Sequence, residues 1–184
     1  MKLFIYDKFG GDRNESHELL KKAITQYCVC ERRSLPVCLN DRHFLKSGKN
    51  GKPYLNGFSC FSVSHTKHIW GVIFDEKDCG LDMQFGRIGN LERIAEKFFA
   101  YSDAAVVKEF GFGAFFKIWT RREAYLKAIG GTVFDSTEDI WSCGSYNIVD
   151  GFTIADADLT RYAGAGLYAA ICTCGKRDLE VVKL

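Results

Sequence analysis

The segment Lys117–Lys127 reads KIWTRREAYLK, and the way it winds decides how the rest of the chain is arranged. At about 100° per residue, Phe115, Ile118, Trp119, Leu126 and Ile129 fall on one stripe of a helix, able to face a core. Arg122 lies inside that stripe, which is unusual for a plain core helix. Glu123 and Lys127 are i,i+4 neighbours at its edge. One reading of the pair is an exposed salt bridge on a surface helix. The other is a carboxylate and an ammonium held rigidly beside a crevice, a combination that suits a metal ion and a phosphate. Gly130-Gly131 ends the helix.

Upstream, Cys79–Gln84 reads CGLDMQ, a short apolar strand carrying Asp82 with Gln84 on the same face. A carboxylate on a strand is uncommon unless it is paired or liganded. Between strand and helix, Leu91–Phe99 has helical periodicity, and a second helix runs from about Asp103 to Phe110. Gly111-Phe112-Gly113 is not a dinucleotide fingerprint, because the third glycine and the preceding strand are missing. Downstream, Ile140–Cys143, Tyr146–Val149, Phe152–Ile154 and Leu167–Thr173 read as strands separated by turns.

Leu3–Tyr6 is expected to be a first strand, and Asp12–Ser16 to cap a helix that runs through Leu19, Leu20, Ala23, Ile24 and Tyr27 to about Cys30. Arg13, His17, Lys21 and Lys22 put basic groups near the start of that helix, as a solvated face or as an anion site. Arg42–Lys46 is a short candidate strand, followed by the turn Ser47–Gly51. In GKPYL, Pro53 fixes the backbone, Gly51 permits close approach and Lys52 supplies a cation. Phe58–His65, FSCFSVSH, alternates apolar Phe61 and Val63 with Ser62 and Ser64, so it reads as a half-buried strand ending in polar groups able to hold phosphate oxygens. Ile69–Asp75 is a further strand.

The chain has 184 residues, 47% hydrophobic, with 15 Phe, enough for a substantial core. Its net charge of +2 does not call for nucleic acid but leaves room for a local basic patch. Eight cysteines form two C-x-C pairs and no C-x-x-C, which is neither zinc-site spacing nor a disulfide framework. With no signal-like or membrane-spanning run, a soluble cytoplasmic protein is expected. Mixed strand and helix order without strict βαβ alternation implies an α+β fold, with a boundary near Lys77 that divides 1–77 from 78–184.

Taken in order, GKPYL, FSVSHT, GLD and W-T-R-R-E-A-Y-L-K resemble the Sfp-type 4′-phosphopantetheinyl transferase family. Its pattern is G-K-P, F-N-x-S-H-S, G-[IV]-D and W-[ST]-x-K-E-[AS]-x-x-K. The resemblance covers about Gly51 to Lys127. It implies two similar α+β halves in one chain, related by a pseudo-twofold, with the active site at their interface. It also implies magnesium-dependent transfer of the 4′-phosphopantetheine arm of coenzyme A to a serine of an acyl or peptidyl carrier protein, releasing adenosine 3′,5′-bisphosphate.

Carried over residue by residue, the resemblance gives Asp82, Glu123 and Lys127 the catalytic roles. The magnesium ligands would be Asp82 and Glu123, with Gln84 where some members have a third carboxylate. Lys52, Pro53, Ser64, His65 and Lys127 would contact coenzyme A; His17 stands where the family often places an Arg for the 3′-phosphate, with Arg13 or Lys21 as the residue to substitute for it. Glu123 is the candidate to draw the proton from the carrier serine. Lys127 would stabilise charge as the pyrophosphate bond breaks. Arg122 replaces the usual Lys, and Ser62 the usual Asn. The carrier is expected to dock near Leu91–Phe110, with Lys97, Lys108 and Arg121 meeting its acidic helices. A monomer acting without nucleic acid or membrane is expected.

Two other readings stay open at this point. One is a non-catalytic homologue that binds coenzyme A or a carrier protein, suggested by Gln84 and the missing Arg. The other is an unrelated magnesium-dependent hydrolase using Asp82 and Glu123, for which the G-x-x-x-x-G-K-[ST] loop is absent.

Overall fold

Leu3, Phe4 and Ile5 are all fully buried, so the first strand must be covered on both faces. The computed structural model describes residues 1–41, 43–132 and 138–184. In chain order it contains β1 (Lys2–Tyr6), α1 (Arg13–Cys30), β2 (Lys46–Ser47), β3 (Pro53–Tyr54), β4 (Cys60–Thr66), β5 (Ile69–Asp75) and β6 (Cys79–Phe85). There follow α2 (Leu91–Phe98), α3 (Tyr101–Phe110), α4 (Phe112–Ile129), β7 (Tyr146–Val149), β8 (Phe152–Asp156), α5 (Thr160–Ala163), β9 (Leu167–Cys174) and β10 (Glu180–Lys183). The fold is mixed α+β.

One four-stranded sheet has the order β10-β1-β5-β4, and a second has the order β6-β9-β8-β7. Helix α1 covers one face of the first sheet, where Leu20, Ile24 and Tyr27 meet Phe4, Trp70 and Phe74. Asp12 caps α1 by accepting hydrogen bonds from the Asn14 and Glu15 amides, a device that contributes about 1 kcal/mol. The other face of the first sheet, with Leu3, Ile5, Ile69 and Ile73, packs against Leu81, Met83 and Ile171 of the second. Helix α4 covers the far face of the second sheet through Ala124 and Ala128 against Ile154, Ala170 and Cys172. The order of layers is helix, sheet, sheet, helix.

The sheets are tied by side chains. The Leu81, Met83 and Phe85 amides of β6 donate to the hydroxyls of Ser62 (3.1 Å), Ser64 (3.1 Å) and Thr66 (3.4 Å) of β4. These amides lie on the edge of β6 away from β9, and the alternating hydroxyls do what a neighbouring strand would do. The polar face of β4 is therefore buried as well as its apolar one: Ser62 and Ser64 are each 5% exposed. The alternation in FSVSHT marks the seam between the sheets, whereas a half-buried strand would turn those serines to water.

Other segments depart from, or add to, what the sequence suggested. Ile140–Cys143 is not a strand: the Ile140 and Trp141 amides donate to the fully buried Asp103 carboxylate (3.0 and 2.9 Å), which takes the place of a strand partner. The apolar end of the chain forms β10, parallel to β1, so the C-terminus returns to the first sheet. Of the candidate strand Arg42–Lys46, Arg42 lies outside the described residues, and pairing is seen at Lys46–Ser47 with Pro53–Tyr54.

Gly80 lets α4 reach β6. A Cβ there would stand 1.8 Å from the Ala124 carbonyl oxygen and 2.8 Å from the Ala128 nitrogen, both rigid helix backbone. Gly80→Ala is expected to cost about 3 kcal/mol or more in urea unfolding. Gly89→Ala, whose nearest new neighbour is Leu91 Cδ2 at 3.8 Å, is expected to stay within about 0.5 kcal/mol. Equal effects of the two substitutions would contradict the close helix–strand contact.

Candidate active site

Gly80, Asp82 and Gln84 share the α4-facing side of β6. With Gly80 pressed under Ala124 and Ala128, Asp82 comes opposite the next turn of the helix. Lys127 Nζ donates to Asp82 Oδ1 (2.7 Å) and to the Leu81 carbonyl (3.0 Å). The Ser64 hydroxyl donates to the same Oδ1 (3.3 Å). Glu123 is half-buried beside them and makes no direct hydrogen bond or ion pair among the described residues. These side chains, with Val63, His65, Met83, Gln84 and Trp119, line an open cleft of about 310 Å³.

The two carboxyls are not equivalent. Burial pushes Asp82 up from the usual carboxylate range, while Lys127 and the Ser64 hydroxyl pull it back. Burial also raises Glu123, and the neighbouring Asp82 charge raises it further, against Lys127 and Arg122. Two carboxyls stand at a solvent-open cleft with Lys127 and Arg122 as the cations felt there, an arrangement that a further positive charge would stabilise. Asp82, Glu123 and the Gln84 carboxamide offer oxygens, the ligand type that magnesium prefers. The Gln84 amide nitrogen donates to the Phe85 carbonyl (3.0 Å), which leaves its oxygen as the acceptor. Among the described residues no group of three His, Cys, Asp or Glu side chains converges as a complete metal site, so a cation here would keep much of its shell for water or phosphate.

Two further cavities adjoin this cleft. One of about 230 Å³ lies between Asn50–Pro53 and the C-terminal end of α4, with Val63 and Lys127 in common with the cleft. Another of about 410 Å³ is lined by Arg13, His17, His43, Lys46, Gly51, Pro53 and Val63. Val63 borders all three, so they form one groove, basic at one end and carboxylate-bearing at the other.

The sequence-predicted residues distribute along this groove. Asp82, Gln84, Glu123, Lys127, Ser64 and His65 gather in the cleft, and Arg13 and His17 lie at the basic end. Lys21 pairs with Glu18 (2.9 Å) and does not line it. Lys52 lines the middle cavity, where its Nζ donates to the Ala128 carbonyl (2.7 Å) and so ties the Gly51–Pro53 turn to the end of α4. His43 and Lys46 join the basic end without having been anticipated; their only signal was a cation density around the Ser47–Gly51 turn.

Arg121 corrects the docking expectation. It is 1% exposed and doubly bonded to Asp156 (2.7 and 2.8 Å), with further bonds to Ser142 and Gly144. It holds α4 to β8 and is not available to a partner. Arg122, also buried, lies over the Phe99 ring at 5.6 Å, with Asp103 nearby in charge.

No family model matches the chain. Among curated proteins, the 4′-phosphopantetheinyl transferase gsp of Aneurinibacillus migulanus is 25% identical over 107 residues. This chain is distantly similar to a 4′-phosphopantetheinyl transferase. The match covers 55% of the chain and 44% of the relative, so it spans less than half of that protein's length. Among the described residues no helix is long and apolar enough to cross a membrane.

Because the Glu123 carboxyl is raised on folding, it holds its proton more tightly in the folded chain than in the unfolded one. Stability on this account is full at low pH and falls as pH climbs from the ordinary glutamate range through the raised folded value. Glu123→Gln removes that loss. In thermal melts across this range, the variant is expected to gain on the parent as pH rises and to match it at the acid end. A difference that does not change with pH would contradict the raised Glu123 carboxyl.

Proposed function

We propose that this chain transfers the 4′-phosphopantetheine arm of coenzyme A to a serine hydroxyl of an acyl or peptidyl carrier protein. The observation that carries the reading is the meeting of Asp82 from β6 with Glu123 and Lys127 from α4 in one cleft. That cleft continues over Val63 to a basic cavity. An elongated anion with a phosphate at one end and a pyrophosphate in its middle fits such a groove. The distant likeness to a named phosphopantetheinyl transferase supports the same reading.

In this reading Arg13 and His17, with Lys46, hold the 3′-phosphate end by charge and hydrogen bonding. Pro53 and the aliphatic stem of Lys52 wall the middle of the groove. His65, exposed on β4 and tilted against Phe9 at 5.2 Å, and Lys127 face the pyrophosphate. Asp82 and Glu123, with the Gln84 oxygen, would hold magnesium. When bound there, the ion would supply neutralisation of pyrophosphate charge. Glu123, the carboxylate without a direct partner, takes the proton as the carrier serine oxygen bonds to the phosphorus of the phosphopantetheine arm. The pyrophosphate P–O bond breaks, and adenosine 3′,5′-bisphosphate leaves with its new charge beside Lys127. Phosphoryl transfer of this kind depends on position and charge more than on covalent catalysis.

The test is the intact mass of unmodified fatty-acid and peptide carrier proteins after incubation with this protein, coenzyme A and magnesium. A gain equal to the phosphopantetheine arm, lost with EDTA, is expected. Asp82→Ala is expected to fold and to lose at least a hundredfold in rate. Gln84→Glu is expected to lower the magnesium concentration needed for half-maximal rate, since it adds a charge to the donor set. Coenzyme A binding without any transfer would favour a non-catalytic binding role, and full activity of Asp82→Ala would remove that residue from the site.

A further inference from the structure

Ser62, Ser64 and Thr66 each accept one amide of β6, but only Ser64 also reaches the cleft. Its Oγ accepts from the Met83 amide (3.1 Å) and donates to Asp82 Oδ1 (3.3 Å). A hydroxyl has a single proton. With the Met83 N–H filling one lone pair from a fixed direction, that proton is free to turn to Asp82. Lys127 donates to the same Oδ1, so both donors fall on one oxygen and Oδ2 carries neither.

The two donors differ in what they can fix. Lys127 has a four-carbon stem, is about a third exposed (32%), and in the proposed reaction must also serve the pyrophosphate. Ser64 has one rotatable bond before its oxygen and is 5% exposed, and its own orientation is set by the β6 backbone. A short, buried donor of this kind holds a ligand or catalytic carboxylate in one rotamer, as partners behind such groups generally do.

We propose that Ser64 is the positioning residue for Asp82. Its hydroxyl holds the Asp82 side chain in the rotamer that presents its carboxylate to the cleft, and makes that orientation depend on the seating of β4 against β6. The sequence motif F-S-V-S-H-T then divides its labour: Ser62 and Thr66 join the sheets, Ser64 joins the sheets and aims Asp82, and His65 faces the ligand. The same proton cannot serve Asp82 and a phosphate oxygen together, so on this proposal the Ser64 hydroxyl serves Asp82 in place of the coenzyme A contact that the resemblance implied for it. The role in catalysis rests on the transferase reading, whereas the orientation of Asp82 can be measured without it.

The test compares Ser64→Ala and Ser64→Thr with Thr66→Val in the full chain. Thr66→Val removes the equivalent bond to the Phe85 amide but touches nothing in the cleft, so it reports the purely structural cost, and melting curves confirm that each variant folds. First, three-bond couplings from Asp82 Cγ to its own backbone nitrogen and carbonyl carbon report the Asp82 side-chain rotamer. One fixed rotamer is expected in the parent, Thr66→Val and Ser64→Thr, and averaged couplings in Ser64→Ala. Second, kcat for carrier modification is expected to fall about tenfold to a hundredfold in Ser64→Ala, with KM for coenzyme A little changed, and to be restored in Ser64→Thr. Thr66→Val is expected to keep the parent kcat. A fixed Asp82 rotamer in Ser64→Ala overturns the proposal, as does a kcat loss shared equally by Thr66→Val. If the parent modifies no carrier, the transferase reading fails, and the couplings alone decide whether Ser64 positions Asp82.

Discussion

The contact on which this structure depends is the backbone-to-backbone approach of α4 to β6 at Gly80. No other residue type fits between the strand and the Ala124 carbonyl. That contact sets the distance from the helix axis to the strand, and the distance in turn decides what Asp82 can meet two residues along. With a bulkier residue at position 80 the helix would stand off, and Lys127 would lose its 2.7 Å bond to Asp82. The same spacing brings Glu123 close enough to feel the charge of Asp82. A packing requirement among small residues is thereby turned into an electrostatic arrangement.

The second sheet and helix α4 on its far face contribute the carboxylates and the ammonium, and the first sheet contributes the surface on which they are displayed. The two are joined by the hydroxyl ladder from β4 to β6 and by the apolar layer around Ile73, Leu81 and Met83. Lys52 adds a third tie, its ammonium resting on the carbonyl end of α4, where the helix dipole favours a cation. The groove follows this seam, and its basic end belongs to α1 and the β2 strand region while its acidic end belongs to β6 and α4. A ligand long enough to touch both ends would stabilise the seam as well as occupy it.

Much of this was legible in the chain itself. The helix through Lys117–Lys127 and the strand carrying Asp82 followed from residue spacing, and the meeting of Asp82, Glu123 and Lys127 from the resemblance to the transferase pattern. The seam was not legible, because alternation of polar and apolar residues ordinarily means that the polar side faces water, and here Ser62, Ser64 and Thr66 pair with amides of a distant strand. Nor was the fate of Arg121, since an Arg-Arg-Glu run on a helix looks exposed until Asp156 is brought under it by β8. Ile140–Cys143 has strand-like composition, but the buried Asp103 takes up its amides from 37 residues away, a partnership with no local signature. Strand β10 was missed for the same reason: its partner β1 is at the other end of the chain.

The most direct measurement is a crystal structure of the chain with coenzyme A and magnesium. The expected result places the 3′-phosphate beside Arg13 and His17, the pyrophosphate beside His65 and Lys127, and the ion on oxygens of Asp82 and Glu123. Coenzyme A bound away from this groove, or an ion that touches neither carboxylate, would contradict the assignment of the cleft.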